Sequence, residues 1–160
     1  MNLCYRKISK EDYPVLREYL YEAIYLPEGV EPYDRSIIDL PEIARYINNW
    51  NDSSDFGLIA CNEDETVGVI WGRLFMEDNK GYGFIDINTP EISMAINKKY
   101  RNQGFGTALM KEFINLAREK RFKSLSLSVD KRNRAYNLYV RTGFIIVDDR
   151  GPDYIMKKKL

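Results

Sequence analysis

The feature that most constrains this chain is a loop with two glycines at residues 101–107, between a buried strand and an amphipathic helix. The apolar run at 92–96 is typical of a buried strand, and apolar residues recur at helical spacing over 108–121. Glycine lets the backbone approach a ligand closely and adopt dihedral angles that a Cβ forbids. Because the first amides of a helix lack intrahelical partners and lie at the positive end of its dipole, such a junction can bind phosphate.

Two glycines at this spacing do not identify the ligand, because many strand-to-helix turns use glycine simply to turn. The loop is not a Walker loop, since Thr107 and Ala108 stand where Lys and Ser or Thr would be needed. It also lacks the third glycine of a dinucleotide-binding fingerprint. Arg101 would add a fixed cation at the entrance of the loop.

The complete absence of histidine excludes several kinds of site. Ser-His-Asp and Cys-His nucleophilic schemes, and zinc sites with histidine ligands, are impossible in this chain. Any proton transfer must use Glu, Asp, Tyr, Lys, Cys or water. The 24 basic and 24 acidic residues balance, so no overall field draws the chain to nucleic acid or to an anionic membrane.

The length of 160 residues and the 44% hydrophobic content predict a single domain over 1–160, with a sizeable core. Cys4 and Cys61 lie in apolar, strand-like segments without metal-ligand spacing, and we expect both to be buried free thiols of a reducing compartment. No run is long enough for a membrane span, and the N-terminus lacks a signal-peptide pattern. The sequence thus favours a cytoplasmic protein without a metal site.

The hydrophobic pattern predicts a mixed α/β (α+β) fold with the order β-α-α-β-β-β-α-β-α-β-β. The predicted strands lie at 3–8, 56–61, 66–75, 84–96 (interrupted near Thr89 and Pro90), 123–129, 144–147 and 154–160. The predicted helices lie at 13–26, 41–50, 108–121 and 134–141. The hairpins of the first half indicate antiparallel pairing, whereas the strand–helix–strand unit at 92–129 indicates a parallel pair. Ligands favour such changes of strand direction, and the glycine loop lies there.

A second informative segment lies at 129–144. Asn133 can cap a short helix, Leu138 and Tyr139 lie on roughly one face of it, and Gly143 can form its C-terminal turn. A tyrosine at such a position is most often an amphipathic core residue. The segment therefore gains its meaning from its combination with the glycine loop.

Together the two segments resemble the signature motifs of the GNAT superfamily of acyl-CoA-dependent N-acyltransferases. The matching residues are Arg101-x-x-Gly104-x-Gly106 after a buried strand, followed by Asn133-x-Ala135-x-x-Leu138-Tyr139-x-x-x-Gly143-Phe144. Their order and separation match, and the predicted element order fits this family over nearly the whole chain. The resemblance implies the GNAT fold, in which the mainly antiparallel sheet splays open.

The resemblance also implies how acetyl-CoA would bind as co-substrate. The glycine loop would wrap the pyrophosphate, and the pantetheine arm would pair with the backbone of the splayed strand, much as an added strand does. The cofactor-binding residues so implied are Met94, Ala95, Ile96, Arg101, Asn102, Gln103, Gly104, Phe105, Gly106, Thr107, Asn133 and Tyr136.

The implied reaction is direct attack of an amine on the thioester, for which the resemblance assigns Tyr139 a position next to the sulfur. A phenol beside the sulfur can protonate the leaving thiolate, and a backbone amide near Ile96 could stabilise the oxyanion. Glu91, at the head of the lining strand, is our first choice as the general base and Asp86 the second. Ordered water alone, with Ser93 and Tyr136 in its chain, remains a third possibility.

The acceptor is the least determined part of the hypothesis. Four acids at 28–39 could attract a cationic amine, although a charged loop is more often only solvated. We expect an N-acetyltransferase acting on a primary amine of a small molecule or peptide, as a monomer or homodimer. The alternatives are a non-catalytic acyl-CoA-binding sensor and a ribosomal or other protein N-acetyltransferase.

Overall fold

The computed structural model describes residues 1–160 as one seven-stranded sheet with helices on both faces. The strands are β1 (Cys4–Lys7), β2 (Phe56–Asn62), β3 (Glu65–Arg73), β4 (Glu91–Ile96), β5 (Ser124–Asp130), β6 (Ile145–Arg150) and β7 (Asp153–Lys159). The helices are α1 (Tyr13–Ala23), α2 (Pro41–Ala44), α3 (Phe105–Glu119) and α4 (Ala135–Arg141), with short 3-10 turns at Lys10–Asp12, Arg35–Asp39 and Lys98–Tyr100. The predicted mixed fold and its element order are confirmed.

The sheet has the order β1-β2-β3-β4-β5-β7-β6, and every neighbouring pair is antiparallel except β4 with β5. That exception follows from the connection through α3, since a parallel pair needs a crossover and cannot be joined by a tight turn. β4 and β5 share a single register pair, Glu91 with Ser126. Beyond this pair no register pair joins the two strands, so the sheet opens toward the carboxyl ends of β4 and β5.

Two hydrophobic clusters hold the helices on opposite faces of the sheet. On one face α3 buries Leu109 and Phe113 against β2, β3 and β4, and both side chains are fully enclosed. On the other face α1 packs Leu16 against a cluster that includes Trp71 of β3. Each such large buried side chain contributes roughly 1.5–3 kcal/mol, so the two clusters fix both helices relative to the opening.

Two predicted elements are shortened by about half or more in the structure, the second helix and the strand before the glycine loop. The second helix was expected to reach Trp50, but regular helix ends at Ala44 and the following turns end at Asn49, whose φ of +54° reverses the chain. The strand predicted over 84–96 exists only from Glu91. Upstream, the Phe84 amide donates to the Gly81 carbonyl and the Thr89 amide to the Asp86 carbonyl, so two turns replace the ladder bonds of a strand.

The cysteines differ from the prediction. Cys4 is exposed and Cys61 is half-buried, because β1 is an edge strand that leaves one side of this pair open. The two residues face each other across β1 and β2, and both are free thiols. No helix in the structure reaches the length and apolar character that a bilayer span requires.

Candidate active site

The glycine loop presents a row of unused backbone donors. None of the six amides from Asn102 to Thr107 donates a hydrogen bond to any atom of the protein. Asn102 and Gly104 both have positive φ, +60° and +85°, which turns successive N–H groups toward one side. Consecutive amides in such a turn, followed by a helix N-terminus, form a concave site suited to an anion.

The two glycines of the loop are required for different reasons. Gly104 needs its left-handed backbone, while the space where a Cβ would project is empty to 4 Å. Gly106 has an ordinary backbone, but a Cβ there would lie 2.8 Å from Leu138 Cδ1 of α4 and 3.5 Å from Ile96 Cγ1. Gly104 therefore shapes the loop, whereas Gly106 allows α3, α4 and β4 to pack closely beside it.

Several side chains of the loop bind its flanks. Arg101 Nε donates to the Ile96 carbonyl (2.9 Å), and its guanidinium pairs with Glu22 of α1 at 3.3 Å. The Gln103 side chain donates to the Lys99 carbonyl at 3.0 Å, and the Phe105 ring packs edge-on against Tyr100. Arg101 thus joins the end of β4 to α1, and a phosphate at the loop would share this cation with Glu22.

One edge of β4 is open next to the loop. The Asn97 amide donates to the Val67 carbonyl at 2.9 Å, and the pairing of β3 with β4 continues without a register shift. Because hydrogen-bonded positions alternate in an antiparallel pair, the backbone groups of Ala95 face β3 and those of Met94 and Ile96 face the opening. Arg101 already occupies the Ile96 carbonyl, so the free groups are the Met94 amide and carbonyl and the Ile96 amide.

The start of α4 faces the same region. Asn133 Oδ1 accepts a hydrogen bond from the Ala135 amide at 2.9 Å, so its side chain caps the helix as expected. Gly143 has a φ of +98° and ends α4. Tyr136 lies half-buried with its ring 5.8 Å from that of Tyr154.

Tyr139 lies on the inner side of α4 with its ring edge-on to Phe144, 5.9 Å between centroids. Its hydroxyl makes no hydrogen bond within the protein, although the residue is partly buried against the main cluster. Burial raises the pKa of Tyr139 to about 12. The phenol is therefore protonated at neutral pH, and its proton is available for an external acceptor.

Glu91 lies at the point where β4 and β5 part, but it is not a solvated strand-edge acid. It is 4% exposed, and the segment at 81–83 covers it. Tyr46 donates to Glu91 Oε2 at 2.5 Å, and the Gly83 amide donates to Oε1 at 3.0 Å. The Tyr82 amide in turn donates to the Tyr46 hydroxyl at 2.7 Å, which fixes the orientation of the phenol.

The electrostatics separate the two candidate bases. Burial raises the pKa of Glu91 to about 7, against the lowering effect of the hydrogen bonds from Tyr46 and Gly83. For Asp86, burial acts upward, but hydrogen bonds from Asn88 and Thr89 outweigh it and lower its pKa. A base is most effective when its pKa lies near the working pH, so the electrostatics favour Glu91 over Asp86.

Two residues of this centre were not identified from the sequence. Tyr46 precedes Glu91 by 45 positions and follows the end of α2, so no local pattern connects the two. Ser126 is fully buried opposite Glu91, and its hydroxyl has no hydrogen-bond partner. An unpartnered hydroxyl at this position can hold a water molecule beside the carboxylate.

A cavity of about 300 Å³ opens on the face of the sheet that carries Glu91. Its floor is formed by Ser128, Ile155 and Asp153 of β5 and β7, which share the Glu91 face by the alternation of the strands. Its walls include Tyr82 and three cationic side chains, those of Arg45, Lys80 and Arg150. The Arg45 and Arg150 guanidinium groups donate to the Lys80 and Tyr82 carbonyls, which ties the covering segment to α2 and β6.

The geometry thus combines a phosphate-sized cradle of amides, an open strand edge, a protonated phenol and a buried carboxylate around one split in a sheet. A sequence model described as the Acetyltransferase (GNAT) family matches residues 16–144. The chain belongs to the GNAT acetyltransferase family. It is an acyl-CoA-dependent N-acetyltransferase, and the resemblance drawn from its sequence is confirmed.

Relatives of this GNAT enzyme include the spermidine N(1)-acetyltransferase of Thermoplasma acidophilum, which is 24% identical over 99% of this chain and 98% of the relative. The crystal structure of the PaiA N-acetyltransferase from the same organism, in complex with coenzyme A, superposes with a TM-score of 0.69 at 24% identity over the whole of both chains. The GNAT domain of Streptomyces lividans PAT gives a TM-score of 0.71 at 16% identity, over 98% of this chain and 89% of that one. At these identities the solved structures show a shared fold.

Proposed function

We propose that this enzyme transfers the acetyl group of acetyl-CoA to a primary amine of a small molecule or peptide by direct attack. The observation that carries the proposal is the row of six free amides at 102–107 beside the open edge of β4. A similar fold has been solved in complex with coenzyme A, which supports this cofactor.

In the proposed complex the pyrophosphate accepts hydrogen bonds from the loop amides, with Arg101 as the nearby cation. The pantetheine arm then pairs with Met94 and Ile96, whose free backbone groups face the opening. Ala95 lies between them but makes no hydrogen bond to the arm, because its backbone groups face β3. This pairing directs the thioester toward the end of the split, between α4 and Glu91. Asn133 and Tyr136 would flank the cofactor from the start of α4.

The proposed chemistry needs two proton transfers, one from the attacking amine and one to the leaving sulfur. A lysine-like amine has a pKa of about 10.4, so fewer than about one molecule in a thousand is nucleophilic at pH 7. Glu91, with its pKa raised to about 7, would accept the surplus proton through a water, because the segment at 81–83 prevents direct contact. As the tetrahedral intermediate collapses and the C–S bond breaks, Tyr139 would donate its proton to the departing sulfur.

The acceptor would occupy the cavity on the Glu91 face. The relative from Thermoplasma acidophilum is named for spermidine, which makes a polyamine one candidate. In this chain, however, three cations and one acid line the cavity, and a second ammonium group would be repelled there. Of the four acids at 28–39, Asp39 is paired with Arg17, which leaves Glu28, Glu31 and Asp34 to attract a cation.

The test is turnover of acetyl-CoA with a panel of amines. The panel should contain spermidine, amines that carry a carboxylate and peptide amines, with release of CoA followed by a thiol reagent and product formation by mass spectrometry. Product formation with a free amine would support the proposal. Tight CoA binding without CoA release across the panel would instead identify a sensor, and acetylation of protein substrates alone would identify a protein N-acetyltransferase.

A further inference from the structure

A second cavity, of about 350 Å³, lies between the middle and C-terminal parts of α3 and the end of α4. Four cations line it, Lys111 and Arg118 from α3, Arg141 from α4 and Lys158 from β7, and we refer to it as the basic groove. Asn115 and Thr142 add neutral polar groups, and no acidic side chain contributes to the lining.

None of the four cations of the basic groove has a carboxylate partner. Ten ion pairs occur in the protein, and none includes Lys111, Arg118, Arg141 or Lys158. The chain as a whole has a formal net charge of zero, so the positive charge of the groove is a local excess and not a property of the whole surface. Four like charges around one cavity repel one another unless an anion lies between them.

The dipoles of the adjacent helices do not explain four cations. Each helix C-terminus carries about half a negative charge, so the ends of α3 and α4 together account for about one cation. The side chain of Lys158 extends into the groove. Its Nζ lies so close to Gly143 that a Cβ built on this glycine would be only 2.6 Å away. Its ammonium therefore lies against the turn that ends α4.

The basic groove is separate from the glycine loop. Along α3, at a rise of about 1.5 Å per residue, Lys111 lies about 10 Å and Asn115 about 16 Å beyond Gly104. Leu138 of α4 meets Gly106 near the loop, whereas Arg141, one turn later, lies in the groove. The N-terminal ends of both helices thus face the proposed cofactor, and their C-terminal parts face the groove.

We propose that the basic groove binds a small polyanion that carries at least two phosphate or carboxylate groups. The two guanidinium groups can each bind such a group with paired N–H donors, and the two ammonium groups add point charges. Since the donors come from α3, α4 and β7, the ligand would tie α4, the helix with Tyr139, to the rest of the fold.

The test is a calorimetric titration of tripolyphosphate into the protein saturated with CoA, so that the glycine loop is already occupied. We expect one binding event that weakens at least tenfold in the double variant Arg141→Gln/Lys158→Gln, and equally in the independent variant Lys111→Gln/Arg118→Gln. The matched control, Lys7→Gln/Lys10→Gln, removes two unpaired, exposed cations on the β1 side and should change the affinity less than twofold.

Three results would overturn the proposal. The first is absence of binding once CoA is present, and the second is an equal loss of affinity in the control variant. The third is a parallel loss of CoA affinity in both groove variants, because the groove would then belong to the cofactor site. A groove variant that retains its CoA affinity is folded. If that variant no longer binds tripolyphosphate, the result supports the basic groove as the binding site.

Discussion

Glu91 and Ser126 form the single register pair that joins β4 to β5. The pair therefore marks the innermost point of the opening in the sheet. At this point the carboxyl group is almost fully buried, and the serine hydroxyl opposite it has no partner.

The pH dependence of turnover should report Glu91. Because the carboxyl group must be ionised to accept a proton, kcat/KM should rise with pH through an inflection at about 7. Glu91→Gln should lower kcat/KM by about 10²–10⁴-fold and remove this inflection. Initial rates between pH 5 and 9 would measure both effects. Asp86→Asn is the control, and a profile that loses its inflection in that variant would transfer the role to Asp86.

Tyr46 should tune that inflection. Its pKa is raised by burial and then by the charge of Glu91, so the phenol stays protonated and donates to the ionised carboxylate. Tyr46→Phe removes this donor and should move the inflection upward by about one to two pH units, since a hydrogen bond to a charged group contributes about 1.5–3 kcal/mol. The same rate profile measures the shift. A downward shift would contradict the assigned donor.

The buried carboxyl group should also affect stability. The pKa of Glu91 is higher in the folded state, about 7, than its ordinary value of 4.5, so the folded state retains the proton longer. This contribution to stability is complete below pH 4.5 and is lost as the pH rises through 7, up to about 3 kcal/mol. Denaturant unfolding at pH 5 and pH 8 should therefore show Glu91→Gln gaining stability relative to the parent protein as the pH rises. A constant difference between the two proteins would mean that Glu91 titrates normally.

Tyr139→Phe should separate catalysis from binding. The hydroxyl makes no hydrogen bond within the protein, so its removal should change the free energy of unfolding little. Turnover should fall by about 10²–10⁴-fold, because the leaving thiolate loses its acid, while the Kd of CoA stays nearly unchanged. Stopped-assay kinetics and calorimetry measure the two quantities. Unchanged turnover would show that water or another group protonates the sulfur.

The amide cradle can be tested at a glycine whose surroundings are empty. Gly104→Glu introduces a carboxylate where a Cβ meets nothing within 4 Å, so the fold should survive, while charge repulsion and the strain of a left-handed φ of +85° together abolish CoA binding. Gly29→Glu is the matched control, with a similar φ of +78° and equally open space, and it should bind CoA normally. Gly106→Glu should abolish binding as well, but through displacement of α4. Retained CoA affinity in the Gly104 variant would contradict the cradle.

Much of the fold was predictable because its signals are local. Ser9 and Asp12 begin the first helical segment through the bond from the Ser9 amide to Asp12, as their spacing indicated. The loop around Gly104 and the turn at Gly143 follow from positive φ angles that glycine tolerates best. The end of α2 at Ala44 was not predictable, since no glycine or proline lies between Ala44 and the left-handed Asn49.

The amino-acid sequence by itself determined the family, the element order and the position of the glycine loop, because each depends on residues close together along the chain. Only the tertiary structure decided how the site is protonated. The segment at 81–83 folds over Glu91, Tyr46 reaches it from the end of α2, and Ser126 faces it across the split. A pKa depends on the solvent and dipoles around a group in three dimensions, and contributions from such distant parts of the chain leave no pattern in the sequence.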